Sequence, residues 1–318
     1  MTERDIQEIS SDMRKLEHEY KQRIEPFRQP LWQYCYKLTR SPWDAEDLVQ
    51  ETLLRSLSLL SKVFQEMNVK AYLFRIAANV WIDQQRKKKI VSEESYEVEW
   101  IKDPGNPFNT IENLEWLARN LTPREYVAIL LVDVFQFKAE EAGSMIGTPR
   151  GAVYASLNRA REVLKEIQKS GPEVPIKRKV SGALHGNQVV GAMLEGFRRK
   201  DPAVIAALLD ENVVVDITHA GVEMGKDETL KNSLKDWQET AAAQGCLGAE
   251  YIILWGRPVI IEYEVREGVR YLNNIHYVEI ENNVIVYWKF YCFSWELLQA
   301  AAHELESGLN AKYFQHIF

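Results

Sequence analysis

The pattern of hydrophobic and polar positions divides the chain into a helical first part and a mixed last third. Apolar residues recur every three or four positions over 31–38, after Ser41 and over 69–86, which predicts amphipathic helices. In the last third, segments with helical periodicity alternate with β-branched and aromatic runs that are typical of strands. The predicted helices cover 188–199, 202–209 and 226–239, and the predicted strands cover 213–217, 250–255, 257–266, 270–281 and 284–293.

Two polar stretches interrupt these patterns and predict linkers. Residues 91–109 are acidic and contain Pro104, Gly105 and Pro107, and residues 168–186 contain two prolines and a basic cluster at 177–179. Proline and glycine at this density favour loops. The predicted domains are therefore 1–92, 110–168 and 187–318, with linkers over 93–109 and 169–186.

The segment 121–167 carries the clearest local signal. Its pattern predicts a helix, a short helix, a tight turn at Gly147 and a second helix that begins near Pro149. Thr148 is a candidate N-cap, and proline suits the first helical turn, where its missing N–H costs nothing. This order of elements is typical of a helix-turn-helix that presents a recognition helix to DNA.

Composition narrows the class of protein. The chain has 318 residues, of which 46% are hydrophobic and 27% are charged, as in globular domains. No apolar run approaches the roughly 20 residues of a membrane span, and the polar N-terminus lacks the apolar core of a signal peptide. Cys35, Cys246 and Cys292 are far apart, so we expect reduced thiols in a cytoplasmic protein without a metal site.

The net charge of −7 is distributed unevenly along the chain. Residues 1–90 carry 16 Lys and Arg against 13 Asp and Glu, residues 91–186 carry 12 against 14, and residues 187–318 carry 11 against 19. The three parts therefore have charges of +3, −2 and −8. The acidity belongs to the last third, and the first part remains compatible with a nucleic-acid partner.

Two helices of the first domain combine apolar and charged faces. Asp44, Asp47 and Glu51 share one helix face at three- and four-residue spacing. The helix over 71–89 has an aromatic and aliphatic face and ends in a basic cluster. Each feature alone is also explained by a solvated surface on a core helix.

Three blocks, in this order, resemble the extracytoplasmic-function sigma factors of bacterial RNA polymerase. DAEDLVQETLLR resembles the region-two helix that docks on the polymerase clamp, and YLFRIAANVWIDQQRKK resembles the promoter-melting helix. LTPREYVAILLVDVFQFKAEEAGSMIGTPRGAVYASLNRAREVL resembles region four, which reads the −35 element. The resemblance covers about residues 20–168 and implies two all-α domains that bind core polymerase, through its clamp and flap surfaces, and promoter DNA.

The resemblance also implies roles for individual residues. The expected polymerase-binding residues are Asp44, Asp47, Leu48, Gln50 and Glu51. The expected contacts to the −10 element are Asn79, Asp83, Gln84, Arg86, Lys87 and Lys88. The expected contacts to the −35 element are Arg150, Tyr154, Asn158, Arg159 and Arg161. Tyr154 and Ser156 stand where the family commonly has cations, so we expect fewer phosphate contacts and a weaker hold on the −35 element.

The last third resembles the SnoaL-like, ketosteroid-isomerase-like domains. The matching stretch is VVGAMLEGFRRKDPAVIAALLDENVVVDITHAGVEMGKDETLKNSLKDW, and the resemblance implies an α+β cone with a curved antiparallel sheet. Asp216, His219, His276 and Tyr291 are the candidate pocket residues. Buried polar residues without a catalytic role are the more common case, so we expect no enzyme and no cofactor, with a small-molecule isomerase, a cyclase or a ligand sensor as the alternatives.

Some relatives in the resembling family carry such a domain after region four, which implies that it modulates sigma activity in cis. A domain of charge −8 on a tether has a high effective concentration for basic surfaces in the same chain. We therefore expect an intramolecular contact with the sigma domains in place of a separate membrane-bound anti-sigma partner. The sequence leaves open whether the effect is inhibition or activation.

Overall fold

The computed structural model describes residue 15 and residues 18–20, 22–57, 68–87, 111–170 and 187–310. The chain divides into two compact units. The N-terminal unit comprises 1–97 with 101–176, and the C-terminal unit comprises 98–100 with 177–318. The linker predicted over 93–109 and the basic residues Lys88 and Lys89 lie outside the described residues. Of the linker predicted over 169–186, residues 169 and 170 still belong to a helix, and 171–186 lie outside the described residues.

The N-terminal unit is helical, as its amphipathic pattern predicts. After a 3₁₀ turn at Glu25–Phe27, its helices are α1 (Arg28–Thr39), α2 (Pro42–Ser56), α3 (Val69–Lys87), α4 (Ile111–Asn120), α5 (Pro123–Ile129), α6 (Ala139–Ile146) and α7 (Arg150–Ser170). A π-helical turn at Leu130–Val134 extends α5. The prediction of an all-α fold for this part of the chain is confirmed.

The start of α2 shows how local sequence determines a helix boundary. The Ser41 hydroxyl accepts a hydrogen bond from the Asp44 backbone N–H at 3.3 Å, and Pro42 occupies the first helical position. Arg40 ends α1 in the left-handed conformation with φ of 61°. The predicted N-cap at Ser41 is confirmed.

An aromatic cluster joins the N-terminal helices to the helix-turn-helix. The rings of Tyr34 in α1 and Phe74 in α3 stack with centroids 4.5 Å apart. The Phe135 ring meets both edge-on, at 5.2 Å from Tyr34 and 5.1 Å from Phe74. Phe137 lies 5.3 Å from Phe74. Since Phe135 and Phe137 lie between α5 and α6, the two helical segments share one core.

Tyr126 in α5 makes a second connection between them. Its side chain is fully buried, its hydroxyl donates to the Lys37 carbonyl at 2.5 Å, and its ring lies 5.6 Å from that of Trp81 in α3. The Arg40 guanidinium lies 5.9 Å from the centre of the same ring. The side of α3 that carries Trp81 is therefore covered by the helix-turn-helix.

The C-terminal unit combines helices with one sheet. Its elements are α8 (Gln188–Arg199), α9 (Pro202–Ala206), β1 (Leu209–Ile217), β2 (Gly221–Met224), α10 (Lys226–Lys231), α11 (Ser233–Ala242), β3 (Cys246–Leu254), β4 (Arg257–Arg266), β5 (Val269–Glu281), β6 (Val284–Phe290), α12 (Trp295–Glu304) and β7 (Gly308–Leu309). The predicted α+β class is confirmed. The predicted helix over 226–239 is two helices, which meet at Asn232.

The sheet is mixed, whereas the sequence analysis predicts an antiparallel one. The strand order is β2-β1-β6-β5-β4-β3, and β7 pairs with β5. β1 pairs with β6 in parallel, as do β5 and β7, and the other pairs are antiparallel. Parallel neighbours need a long connection, and here α10, α11 and the β3–β5 meander provide it between β1 and β6. Bulges in the β4–β5 and β5–β6 pairs bend the strands.

One face of this sheet builds the main core of the unit. Side chains from α8 and α9 pack on alternate residues of the strands, among them Val213, Val215 and Trp288. The sequence analysis does not predict β2, α12 or β7, and Trp295 is 41% exposed at the start of α12. None of the helices in the described part of the chain has the length and apolar character needed to cross a membrane.

Candidate nucleic-acid interface

The turn between α6 and α7 has the geometry of a helix-turn-helix. Gly147 ends α6 with φ of 65°, a conformation that favours glycine. A Cβ at Gly143 would lie 2.4 Å from the Thr148 carbonyl oxygen, so α6 and the turn approach more closely than a side chain allows. The Pro149 carbonyl accepts the first helical hydrogen bonds of α7, from Ala152 and Val153. The cap position is therefore Pro149, and the prediction of Thr148 is wrong by one residue.

Helix α7 buries one face and exposes the predicted recognition face. Val153, Leu157, Ala160 and Leu164 are buried at three- and four-residue spacing. The predicted −35 contacts are all exposed, namely Arg150, Tyr154, Asn158, Arg159 and Arg161. Tyr154 is 47% exposed, so its ring is available for contact with a partner.

The three arginines of this face each have a carboxylate partner in the same domain. Arg150 Nη1 lies 2.7 Å from Glu140 Oε1, Arg159 Nη1 lies 2.5 Å from Glu125 Oε1, and Arg161 Nη2 lies 3.5 Å from an oxygen of Asp133. Exposed ion pairs contribute only about 0–1 kcal/mol each. They nonetheless direct these side chains toward α5 and α6.

The Glu125 carboxylate also completes a capping box at the start of α5, which the sequence analysis does not identify although Thr122-Pro123-Arg124-Glu125 contains its signature. The Thr122 backbone N–H donates to Glu125 Oε2 at 2.9 Å, and the Glu125 N–H donates to the Thr122 hydroxyl at 3.4 Å. Partial burial raises the pKa of Glu125, but the Thr122 and Arg159 donors outweigh it and hold the pKa below its ordinary value. The capping box therefore couples the entry of α5 to Arg159 in α7.

We expect Glu125→Gln to destabilise the helix-turn-helix by about 1 kcal/mol at pH 7, because glutamine keeps the capping box but loses the charge-assisted bonds to Arg159 and Thr122. The lowered pKa means that the carboxylate stabilises the fold above its unfolded pKa of about 4.3. That contribution is lost as the pH falls through the lower folded value. The difference in unfolding free energy between wild type and variant should therefore shrink below about pH 4. An undiminished difference in acid would contradict this assignment, and the exposed Lys165→Ala serves as the control for α7.

Helix α3 separates its faces in the same way. Leu73, Phe74, Ala77, Val80 and Trp81 are buried. The predicted −10 contacts Asn79, Asp83, Gln84, Arg86 and Lys87 are exposed, and Asp83 pairs with Arg86 at 3.5 Å. Lys88 lies outside the described residues. Trp81 lies in the core.

The predicted polymerase-binding residues on α2 are only partly accessible. Asp44, Asp47, Gln50 and Glu51 are half-buried, and Glu51 pairs with Arg55 at 2.5 Å. Leu48 is 1% exposed. It therefore supports the helix from the core, and the prediction that it lines a binding surface needs correction.

The four candidate pocket residues of the C-terminal unit do not converge. Asp216 pairs with Lys289 across the β1–β6 ladder, and its carboxylate accepts from the Tyr287 hydroxyl at 2.9 Å and lies 3.3 Å from the Lys289 ammonium. Tyr291 is buried on the same side and accepts a hydrogen bond from Arg257 at 3.2 Å. His219 lies in the β1–β2 turn.

His276 lies on the opposite face of the sheet, among the core aromatics. Its Nε2 is 3.3 Å from Glu262 Oε2, and its Nδ1 is 3.3 Å from the Trp288 indole nitrogen. The Trp237 indole donates to Glu262 Oε1 at 3.0 Å, and the Phe197 ring stacks on the imidazole at 4.7 Å. Because an indole N–H only donates, Nδ1 accepts and Nε2 carries the hydrogen that points to Glu262.

Comparison with known proteins gives these surfaces a context. The sigma-70 region 2 family matches residues 24–90. The extracytoplasmic-function (ECF) RNA polymerase sigma factor SigG of Mycobacterium tuberculosis is 31% identical over 179 residues, which are 47% of this chain and 48% of SigG. The ECF RNA polymerase sigma factor SigJ of the same species is 26% identical over 228 residues, or 67% of this chain and 68% of SigJ.

The extent of these matches differs between relatives. The chain spans about half the length of SigG (48%) and of SigE from Mycolicibacterium smegmatis (56%). The crystal structure of the M. tuberculosis SigJ covers 85% of this chain and 95% of its own at 19% identity, with a TM-score of 0.35. Residues 24–90 match the sigma-70 region 2 family, and about half of the chain is similar in sequence to extracytoplasmic-function RNA polymerase sigma factors.

Proposed function

We propose that the protein is an alternative sigma factor that binds core RNA polymerase and directs it to promoter −10 and −35 elements. The observation that carries this proposal is the match of the sigma-70 region 2 family to residues 24–90. The matched residues include the exposed polar residues of α3, here called the α3 stripe, namely Asn79, Asp83, Gln84, Arg86 and Lys87. The helix-turn-helix supplies the second DNA-reading element. In this role the protein binds and orients its partners in the cytoplasm and performs no chemistry of its own.

The α3 stripe suits the −10 element because it combines amide groups with cations at one end. Asn79 and Gln84 can donate to and accept from base edges, and Arg86 and Lys87 can neutralise phosphates. On α2, the carboxylates of Asp44, Asp47 and Glu51 suit a basic polymerase surface and orient the encounter. Gln50 completes that face.

We expect the double variant Arg86→Ala/Lys87→Ala to weaken promoter binding uniformly across sequences. Two lost phosphate contacts should reduce the slope of log K against log salt concentration by about 1.4 to 1.8. Filter binding of the polymerase holoenzyme to one promoter at several salt concentrations measures this slope. The control is Arg119→Ala, an exposed arginine on α4, and an unchanged slope in the double variant would remove these residues from the DNA surface.

The test of the proposed function is run-off transcription with core bacterial RNA polymerase on a promoter from the protein's own operon. The full-length chain is compared with residues 1–180, which contain the whole helical unit. Specific transcripts from either form would support the sigma assignment. No transcript from either form, together with no binding to core polymerase, would overturn it.

We also propose that the C-terminal unit, which resembles SnoaL-like domains, regulates sigma activity in cis. The charge of −8 over residues 187–318 favours basic surfaces, and attachment to the same chain keeps the local concentration of this domain high. The ratio of transcripts from the two forms gives the sign of the effect. Equal promoter activity with and without residues 187–318 would contradict cis regulation.

The alternative is that the C-terminal unit is a small-molecule enzyme or a ligand sensor. The buried polar residues of this unit give that alternative less support. The polar groups of Glu262 and His276 are engaged with Trp237, Trp288 and each other. A general acid or base must face a reacting atom, and these groups face the core. Turnover or a ligand-induced thermal shift with the full-length protein would support the alternative.

A further inference from the structure

The paired arginines of α7 leave few of its residues available for reading bases. Arg150, Arg159 and Arg161 are directed to Glu140, Glu125 and Asp133. The Arg150 guanidinium also lies 5.5 Å from the centre of the Tyr154 ring. The neutral side chains of the exposed face are therefore candidates for base contacts by this helix. This inference rests on the proposed DNA-binding function of the helix-turn-helix.

The exposed face of the first three turns of α7 carries four small or neutral residues besides its arginines. Tyr154 and Ala155 lie three and four residues after Gly151, Asn158 lies four residues after Tyr154, and all four are exposed. The N-terminal residues of a recognition helix are those that contact base edges in the major groove. Asn158 makes no hydrogen bond through its amide in the described part of the chain, so both ends of the amide are available.

Gly151 has no explanation within the protein itself. A Cβ at this position would meet nothing within 4 Å, and its φ lies outside the left-handed region. Glycine inside a helix destabilises it relative to alanine. The missing side chain is explained if the helix backbone approaches another molecule closely at this point, as glycine permits.

We propose that Asn158 and Tyr154 read the −35 element, with Asn158 selecting adenine in one A·T pair. An asparagine amide accepts from the adenine N6 amino group and donates to N7, a bidentate pattern that no other base presents in the major groove. The Tyr154 ring supplies an apolar surface for a thymine methyl group. Asn158 lies one turn beyond Tyr154, about 6 Å along the helix axis, so the two residues face the same base pair or adjacent ones.

The arginines have a different role in this arrangement. Arg159 bonds to the capping-box glutamate of α5, and Arg161 pairs with Asp133 in the π-helical turn. They position α7 against the rest of the domain. The −35 contacts predicted at these two arginines are then positioning contacts, and base identity depends on Asn158.

The test is transcription by the reconstituted holoenzyme from a promoter pool in which the −35 segment is randomised. The full-length chain is compared with Asn158→Ala and Asn158→Arg, and Lys165→Ala, exposed two turns further along α7, is the control. Wild type and control should select adenine at one position over other bases by about 5- to 150-fold. Asn158→Ala should lose that selection, and Asn158→Arg should move it to guanine, which arginine reads through O6 and N7.

Each outcome decides between the proposals. If wild type transcribes and Asn158→Ala keeps the same base preference, the assignment of Asn158 is overturned while the sigma function stands. If wild type selects no −35 sequence and does not bind core polymerase, both the assignment of Asn158 and the proposed sigma function fail.

Gly151→Ala tests separately whether the backbone of α7 approaches DNA closely at this position. It should lower promoter affinity without lowering the melting temperature, and unchanged affinity would contradict a close backbone contact.

Discussion

Replacing Tyr126 by alanine is expected to separate the helix-turn-helix from α1 and α3 and to cost the N-terminal unit about 3–5 kcal/mol, the range for truncating a buried aromatic side chain. The ring is fully buried and contacts Trp81, and the hydroxyl donates to the Lys37 carbonyl. Truncation therefore removes the ring packing and leaves that carbonyl without this donor. Both losses fall on the junction between the two segments that we propose to read DNA.

The junction matters because the proposed function requires the two segments to separate. Elements at −10 and −35 are about 25 base pairs apart, which is about 85 Å at about 3.4 Å per base pair. A compact unit of about 150 residues has a radius of gyration near 15 Å. The packed unit is therefore unable to reach both elements, and only the opened fraction of molecules is competent to bind a promoter.

A milder variant, Tyr126→Phe, separates this effect from unfolding. It removes only the hydrogen bond to Lys37. This loss destabilises the packed form of the N-terminal unit, here called closed, by about 1–3 kcal/mol relative to the opened form. A larger opened fraction should raise the apparent affinity for the promoter in the same proportion, by up to about 5- to 150-fold if all of that cost falls on closure. Distances between spin labels at the exposed positions 83 and 165, with Cys246 changed to serine, report the opening.

The matched control for this prediction is Leu164→Ala. Leu164 is buried on the inner face of α7, so its truncation weakens the helix-turn-helix but leaves the hydrogen bond from Tyr126 to Lys37 in place. We expect lower stability but unchanged label distances. If Tyr126→Phe leaves both the label distances and promoter affinity at their wild-type values, Tyr126 does not hold the unit closed.

The sequence predicts the helices of this unit well because each carries its own signal. Ser41 with Pro42 marks one helix start, Gly147 marks one helix end, and apolar periodicity predicts the buried faces. Periodicity indicates that a side chain is buried but does not identify its partner. The contacts of Tyr126 with Lys37 and of Phe135 with Tyr34 connect residues about 90 to 100 positions apart, and no local pattern contains them.

The C-terminal unit shows the same division between local and long-range information. Alternation predicts most strands, and it also places Asp216 on the face opposite Val213 and Val215, which are fully buried. That signal was available in the sequence and separates Asp216 from the core face that His276 shares with Phe290. The parallel pairing of β1 with β6 and the partners of His276 depend on contacts across several elements. They emerge only from the folded structure.

Replacing His276 by alanine is expected to cost the C-terminal unit about 3–5 kcal/mol. Glu262 and His276 are 2% and 1% exposed. The substitution removes the donor to Glu262 Oε2 and the acceptor of the Trp288 indole, and an unsatisfied buried group costs about 1–3 kcal/mol. The lost stacking on Phe197 adds a cavity. Native-state hydrogen exchange of the β4, β5 and β6 amides in the full-length chain measures the loss within this unit.

The outcome also distinguishes a structural pair from a catalytic one. Tyr277→Phe, which removes an exposed hydrogen bond to Glu279 on the other face of the sheet, should change stability by less than about 0.5 kcal/mol. If His276→Ala lost as little as this control while abolishing turnover of a small molecule, the imidazole would be a catalytic base. A large loss of protection confined to the C-terminal unit instead makes the Glu262–His276 pair part of its core. The domain would then act through its surface, as regulation in cis requires.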